Sequence, residues 1–181
     1  MSSNTIVINN VRSGYVHVFG EGKVNESGRR SWSLTAYIPK DHPQIDAIKA
    51  AIAAAKEKDA AKIGKSGIKS PLLDGDAKND DGSFRYKGDE CRGQYLLRCV
   101  NYNRRPKVVD QTLKDILDPE QFYSGCYANV SISFFGYAGA ANKGISPGLD
   151  AVQKVRDGER LSGASVDASS VFTVVAEDFL A

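Results

Sequence analysis

The clearest alternation of apolar and polar residues lies between residues 126 and 137 and predicts a β-strand with two different faces. Successive side chains of a strand point to opposite sides of its sheet. One face consists of small and apolar residues, which are Cys126, Ala128, Val130, Ile132 and Phe134. The other combines aromatic rings with hydroxyl and amide groups and consists of Tyr127, Asn129, Ser131, Ser133, Phe135 and Tyr137. We expect the first face in a core and the second on a surface suited to stacking.

Similar patterns predict further strands elsewhere in the chain. Residues 31–38 and 91–102 each fit one strand, and residues 5–19 fit either one long bent strand or two short ones separated at a Ser-Gly pair. Residues 149–157 fit a strand or a helical turn, and residues 171–175 fit a last strand or an apolar patch. The predicted fold is therefore mainly β.

Two aromatic residues of the segment 31–38 are expected in different environments. Trp32 alternates with aliphatic residues, so we expect it in the core. Tyr37 lies on the opposite face among hydroxyl groups, so we expect it at the surface.

One long amphipathic helix is predicted between the strands. Asp41 is a candidate N-cap, Pro43 suits the first turn, and the helix is expected to continue to about Lys62. Its apolar side consists of Ile45, Ile48 and Ile52 together with several alanines. This stripe predicts that the helix packs on the sheet.

Residues 64–90 form a long irregular stretch rich in glycine, with an acidic run over residues 74–81. Structureless loops beyond about 12–15 residues are uncommon in compact domains and are usually functional or disordered. Fragments of a phosphate-binding loop, a calcium loop and a KH motif occur here. Each lacks a required residue or a required neighbouring element, so none predicts a site.

Charge is distributed unevenly along the 181 residues. Residues 1–160 carry a net charge of +5, whereas residues 161–181 contain no Lys or Arg and carry −3. A basic body suits a polyanionic ligand, and an acidic end suits a self-masking or partner-binding role.

Cysteine usage and the N-terminus favour a soluble cytoplasmic protein. The three cysteines, Cys91, Cys99 and Cys126, show no metal-binding spacing, and their odd number argues against a disulfide framework. Neither a signal peptide nor an apolar run long enough for a membrane span is visible.

Catalytic motifs are not evident. His17 and His42 have no nucleophile turn beside them, and no dinucleotide or metalloprotease motif occurs. We therefore expect no enzyme, cofactor or metal site. A metal-dependent nuclease using the acidic residues 74–81 is kept as an alternative.

Short strands, glycine-rich turns and one helix together predict an α+β protein built on a five-stranded, OB-fold-like Greek-key barrel with residues 64–90 as an insertion. An OB-fold usually carries its helix between the third and fourth strands, which fits if residues 5–19 form two strands. We expect the domain to span residues 1–160, followed by an acidic segment, residues 161–181, for which partial disorder is left open.

An OB-fold groove binds single-stranded nucleic acid by stacking bases on aromatic rings while Lys and Arg follow the phosphates. The candidate aromatic residues are Tyr37, Tyr102, Tyr127, Phe135 and Tyr137. The candidate cations are Lys40, Arg98, Arg104, Arg105, Lys107 and Lys143. The residues from Arg104 to Lys107 form the densest basic cluster in the chain.

Several segments in register resemble a family of tailed-bacteriophage single-stranded DNA-binding proteins. These segments are residues 38–40, 70–76, 123–127, 142–144 and 152–159, and the similarity covers roughly residues 5–165. The resemblance implies an OB-fold protein that coats single-stranded DNA during phage replication, recombination or repair in the host cytoplasm, without a cofactor.

Members of this family commonly end in an acidic tail with a terminal aromatic residue that contacts partner replication proteins. Glu177, Asp178 and Phe179 form a short version of that tail here. A homo-oligomer is left open. The main alternative function is a virion structural or assembly protein that uses the aromatic face as a subunit interface.

Overall fold

Five long strands wrap into a closed barrel in a computed structural model, which describes residues 3–161 and Thr173. The described residues contain nine strands in all, namely β1 (Thr5–His17), β2 (Lys23–Val24), β3 (Arg30–Pro39), β4 (Ile68–Lys69), β5 (Leu72–Asp74), β6 (Gln94–Asn101), β7 (Lys107–Val109), β8 (Tyr127–Ala138) and β9 (Lys143–Arg156). Around the barrel, β1 pairs with β3, β3 with β6, β6 with β9, β9 with β8, and β8 with β1. Of these contacts the β6–β9 contact is parallel and the others are antiparallel. The OB-fold-like barrel predicted from the sequence is confirmed.

Residues 5–17 form one bent strand rather than two. The pairing of β1 shifts register between Ile8 and Val11 and again between Gly14 and His17. Asn10 (φ 53°) and Tyr15 (φ 46°) lie within these irregularities in left-handed conformations. Such bulges bend a strand and increase its twist. Consequently β1 pairs with β8 through its first half and with β3 through its second half.

The helix lies in the predicted segment of the chain but at a different point in the order of the barrel strands. Helix α1 (Ile45–Lys58) and the short α2 (Ala60–Ile63) follow β3, the second long strand of the barrel, and precede β6, the third. The expectation that the helix would lie between the third and fourth strands is therefore wrong. It depended on counting two strands in the segment that forms the single strand β1.

The helix also begins later than predicted. Gln44, not Asp41, precedes its first turn, and its side chain makes no capping hydrogen bond. Instead, Gln44 Nε2 donates to the Val7 carbonyl, and the Asn9 N–H donates to Gln44 Oε1, each over 2.8 Å. The side chain is thus used to join the helix start to β1. The predicted apolar side is confirmed, since Ile48 and Ile52 are buried.

The inner face of β8 forms the centre of the barrel core. Each of its five predicted core residues, from Cys126 to Phe134, is fully buried. Trp32 is also buried, as expected, and its indole N–H donates to the Gly20 carbonyl over 3.1 Å. Alternation therefore identified the inner and outer faces of β8 correctly.

The insertion at residues 64–90 is more regular than its composition suggests. β4 adds to β9 in parallel, and β5 adds to β6 in antiparallel pairing. A bridge between Lys78 and Phe84 closes a small hairpin farther along. Gly75 lies against the Cys91 and Gln94 carbonyls, which a β-carbon would approach within 2.1 and 2.6 Å. This close approach of two backbone segments holds the base of the hairpin to the barrel.

The insertion buries Tyr37, contrary to the prediction. Tyr37 is only 3% exposed and packs with Cys91 and Leu96 in a second small core outside the barrel wall. Leu73 and Tyr86 of the insertion pack against the same group. Tyr37 does lie on the polar face of β3, as alternation predicted, but the insertion covers that end of the face.

The remaining segments settle several open alternatives. Residues 149–156 belong to strand β9, so the strand alternative is confirmed. Of residues 171–175 only Thr173 is described, so the alternatives for that segment lie outside the described residues. Within the described part of the chain, no helix is long and apolar enough to cross a membrane.

Candidate nucleic-acid interface

A cleft of about 720 Å³ opens on the barrel where β6, β8 and β9 meet. Three aromatic residues, Tyr102, Phe135 and Tyr137, line this first cleft together with the cations Arg29 and Lys62. Polar side chains complete it, namely Asn101, Asn103, Ser133, Ser146 and Asp150. Aromatic rings beside positive charge are the groups that bind bases and phosphates of single strands.

The first cleft overlaps part of the usual ligand groove of an OB-fold, because the two share the third barrel strand and the flanking connections. That groove crosses the second and third barrel strands and is flanked by the loops between strands one and two and between strands four and five. Arg29 lies just before β3, in the connection between the first and second barrel strands. Ala138 ends β8 at the loop that joins the fourth and fifth strands. Both flanking connections therefore contribute to the cleft.

Two of the aromatic rings are open to solvent. Tyr102 is 39% exposed and Phe135 is 38% exposed. The guanidinium carbon of Arg29 lies 3.9 Å from the centroid of the Tyr102 ring. The cleft thus contains exposed ring surface and a cation already stacked beside it.

Glycines on β9 make room for the aromatic residues of β8. A β-carbon on Gly148 would lie 3.3 Å from the Phe135 ring, and one on Gly144 would lie 2.9 Å from the Tyr137 hydroxyl. Any larger residue would therefore press against these side chains. The two glycines allow the aromatic side chains to lie close to the neighbouring strand.

The junction of the two helices is tied to the same part of β8. The Gly136 N–H donates to Asp59 Oδ2 over 2.6 Å, and Gly136 lies between Phe135 and Tyr137 in the chain. Asp59 separates α1 from α2, and Lys62 of α2 lines the cleft. One hydrogen bond therefore connects a cation-bearing helix to the strand that carries two of the aromatic residues.

Tyr127 lies apart from the first cleft. It lines a second cleft of about 230 Å³, together with Arg12, Arg92 and Gln94. The guanidinium carbon of Arg156 is 3.6 Å from the centroid of the Tyr127 ring. The predicted aromatic face of β8 is thus divided between two clefts.

The predicted cations are widely dispersed. Arg98 is exposed on β6, and its guanidinium carbon lies 5.5 Å from the centroid of the Tyr86 ring. Arg104 is also exposed. Lys143 lies against the loop after α2, where a β-carbon on Gly64 would be 3.2 Å from Nζ.

Two cations of the predicted basic cluster have intramolecular partners. The Arg105 guanidinium donates to the Val18 carbonyl over 3.4 Å. Lys107 forms an exposed ion pair with Asp115 at 3.3 Å. The four-residue basic cluster of the sequence therefore does not form a surface on which every cation is free to bind a phosphate.

Lys40 is bound by carboxylates of the insertion. Its Nζ lies 2.7 Å from Asp74 and 2.8 Å from Asp76. Hydrogen bonding to these carboxylates raises the pKa of Lys40, and the bond from Lys40 lowers the pKa of both Asp74 and Asp76. Lys40 thus holds the insertion to the end of β3, and two residues of the proposed nuclease loop are occupied by a cation of the chain itself.

The remaining candidate residues are the three cysteines, possible metal ligands and the acidic tail. The thiols of Cys91, Cys99 and Cys126 are buried and free, and burial raises the pKa of the Cys99 thiol. Among residues 3–161, no group of three His, Cys, Asp or Glu side chains is placed to hold a metal ion. Glu177, Asp178 and Phe179 lie outside the described residues.

Sequence reasoning did not identify Arg29, Lys62, Arg12 or Arg156 as candidate ligand contacts. Arg29 belongs to a basic pair in a polar turn, and Lys62 lies on the helix side expected to face solvent. Only the pairing of distant segments brings these cations beside Tyr102 and Tyr127. No local pattern marks them.

Known proteins with the same architecture bind single-stranded DNA. The single-stranded DNA-binding protein of bacteriophage Enc34, solved in complex with ssDNA, is 23% identical, with a TM-score of 0.71 and coverage of 88% of this chain and 90% of that one. The single-stranded DNA-binding protein gp2.5 of bacteriophage T7 is 16% identical, with a TM-score of 0.55 and coverage of 97% and 100%. At such identities the likeness establishes the fold.

Sequence comparison establishes the family. A protein designated p50 from Acyrthosiphon pisum secondary endosymbiont phage 1 is 32% identical over 178 residues, covering 92% of this chain and 91% of the relative. The family model described as "Enterobacter phage Enc34, ssDNA-binding protein" matches residues 4–180. The resemblance to a phage family is confirmed, and the chain belongs to the Enterobacter phage Enc34 ssDNA-binding protein family.

Proposed function

We propose that this protein binds single-stranded DNA without sequence preference through the first cleft. The observation that carries the proposal is the pair of exposed rings, Tyr102 and Phe135, beside Arg29 and Lys62 where β6, β8 and β9 meet. Membership of the Enc34 family supports the same ligand.

Stacking explains why the binding would tolerate any sequence. Every base has a π-face, and one base–aromatic stack contributes about 1–3 kcal/mol. Phe135 and Tyr102 offer such faces, and Tyr137 adds a ring and a hydroxyl at the far side. Arg29 and Lys62 are placed to meet phosphates, with Arg98, Arg104 and Lys143 as further candidates outside the cleft.

The biological role we infer is to coat and protect single-stranded DNA during phage replication, recombination or repair. Such a role requires neither catalysis nor a cofactor, and it places the protein in the host cytoplasm, where that DNA is made. We assign DNA binding to residues 1–160 and contacts with phage replication or recombination proteins to residues 161–181, including Glu177, Asp178 and Phe179.

A salt titration of oligo-dT binding, with duplex DNA as the control ligand, tests the proposal. The logarithm of the binding constant should fall linearly with log[salt]. The magnitude of this slope, the salt slope, should be about 0.7 for each phosphate neutralised on a single strand. Phe135→Ala and Tyr102→Ala should each weaken binding by at least about fivefold, the lower end of one stacking contact. Leu117→Ala is the control, since Leu117 is 69% exposed and lines neither cleft.

The virion-assembly alternative makes the opposite prediction for the same rings. If the wild type formed a stable oligomer that the Tyr137→Ala substitution dissociated into monomers, while the affinity for oligo-dT stayed at the wild-type value, the aromatic face would be a subunit interface. Size-exclusion chromatography with light scattering, run beside the DNA titration, distinguishes the two. Salt-insensitive binding, or none, would overturn the proposed function.

A further inference from the structure

We propose that the second cleft holds a nucleobase of the same DNA strand, which runs from the first cleft over Arg98. This inference rests on the proposed function, because it extends the path of the single-stranded DNA bound in the first cleft.

The two clefts lie at opposite ends of the same strands. On β6, Gln94 lines the second cleft and Tyr102, just past the strand end, lines the first. On β8, Tyr127 and Phe135 stand in the same relation. Each pair is separated by eight positions, which corresponds to about 26 Å at 3.3 Å per residue. An even separation also places both members of a pair on the same side of their strand.

Arg98 lies midway along this path. It is four positions from Gln94 and four from Tyr102, so alternation places all three on the outer side of β6. Its side chain is exposed, near the ring of Tyr86. Between Gln94 and Arg98 the same side of β6 is covered, since Leu96 is buried beneath Leu73 and Tyr86 of the insertion. A DNA strand that joins the two clefts would therefore cross the insertion at Tyr86 and meet Arg98 beside it.

The chemistry of the second cleft fits a base better than a phosphate. Arg12 and Arg92 bring two positive charges, and Asp89 and Glu90 bring two negative charges. These four charges balance, and Arg156, stacked on the Tyr127 ring beside them, leaves a net charge of only +1 with which to attract a phosphate. The edge of a base carries both hydrogen-bond donors and acceptors, and it can pair with cations, carboxylates and the amide of Gln94.

The second cleft is also held in place before any ligand enters. Arg12 donates to the Glu159 carbonyl over 2.7 Å and to the Gly125 carbonyl over 3.4 Å. In addition, the Arg156 guanidinium lies over the Tyr127 ring. A fixed site loses little conformational entropy when it binds, so a base can contribute to affinity there.

Oligonucleotide length tests the inference. OB-fold site sizes range from about 4 to 16 nucleotides, so oligo-dT and oligo-dC of these two lengths are the probes. Tyr127→Ala should weaken binding of the 16-mers by at least about fivefold and leave the 4-mers unchanged. Arg98→Ala should reduce the salt slope of the 16-mers alone by about 0.7, the value for one phosphate.

Lys49→Ala, which removes an exposed cation on α1, is the control and should change the binding of neither the 4-mers nor the 16-mers. Thermal unfolding of each variant separates lost contacts from lost fold, and Arg98→Ala keeps the test open if Tyr127→Ala unfolds. If these variants changed the binding of 4-mers and 16-mers equally, or changed neither, the assignment of DNA to the second cleft would be overturned. The assignment to the first cleft would stand. A wild-type protein that binds neither length would instead overturn the proposed function itself.

Discussion

Arg29 and Tyr102 stack on each other, with 3.9 Å between the guanidinium carbon and the ring centroid. They belong to segments more than 70 positions apart, and the barrel brings them together at the first cleft. A cation stacked on an exposed ring contributes about 0.5–1 kcal/mol and fixes the ring for a ligand. The pair combines in one place the two functions expected of this interface, stacking and phosphate contact.

Arg29→Ala should therefore weaken single-stranded DNA binding and lower the salt slope by about 0.7. Arg29→Lys should restore the slope but not the full affinity, because Lys keeps the charge without the planar stacking group. The neighbouring Arg30 is the matched control, since its guanidinium is held by Glu21. Fluorescence titrations with oligo-dT at several salt concentrations measure both quantities. Equal losses for the Arg29→Ala and Arg30→Ala variants would contradict the prediction.

Asp59 should act as a positioning residue for the aromatic pair. Removing its carboxylate in Asp59→Ala releases the Gly136 N–H between Phe135 and Tyr137, so affinity should fall although no group that contacts DNA is lost. The salt slope should then remain at the wild-type value. Asp59→Asn keeps an oxygen that can accept from the Gly136 N–H and should restore most of the affinity. A reduced salt slope in the Asp59→Ala variant would show that the residue acts in another way.

Gly14→Ala should destabilise the protein without altering the first cleft. A β-carbon at Gly14 would lie 2.4 Å from the Tyr37 ring, which is buried under the insertion. Overpacking of this kind costs about 1–3 kcal/mol. Urea unfolding should show the loss of stability, whereas the folded variant should bind the oligo-dT 4-mer, which occupies only the first cleft, as the wild type does. A wild-type free energy of unfolding would contradict the packing described for Tyr37.

The Lys40 ion pairs should make stability depend on acid pH. The pKa values of Asp74 and Asp76 are lowered in the folded protein from 3.8, so the unfolded chain binds more protons below that pH. Their contribution is fully present above about pH 4 and is lost as the pH falls through the lowered values. Because the carboxylates are 52% and 37% exposed, the effect should be small and should weaken with salt.

Urea unfolding between pH 2 and pH 6 measures this contribution in the wild type and in Lys40→Ala. The variant should lose part of the acid-side slope, since the cation that lowers both pKa values is gone. Lys107→Ala removes a more exposed ion pair and is a suitable control. Identical profiles for the wild type and Lys40→Ala would contradict the prediction.

The sequence predicted strand β8 well because alternation is a local property. It separated the five buried residues from the polar face, and it placed Phe135 at a surface. The helix stripe containing Ile48 and Ile52 was predicted for the same reason. A pattern within one element indicates which side of that element is apolar.

Tyr37 and Phe135 show that such patterns do not predict which polar faces remain exposed. Both lie on polar faces of barrel strands, yet Tyr37 is covered by the insertion and Phe135 is open. Likewise Lys40 is held by Asp74 and Asp76, while Lys62 on the helix reaches the first cleft. Each outcome depends on contacts between segments that are far apart in the chain.

The amino-acid sequence by itself therefore determined the long strands β3, β6 and β8, the helix stripe, the barrel architecture and the phage family. The tertiary structure decided which aromatic faces remain open, which cations are paired, and that Tyr127 and Phe135 occupy different clefts. The physical reason is that alternation reports the side on which a residue lies, whereas exposure and pairing depend on what packs against that side.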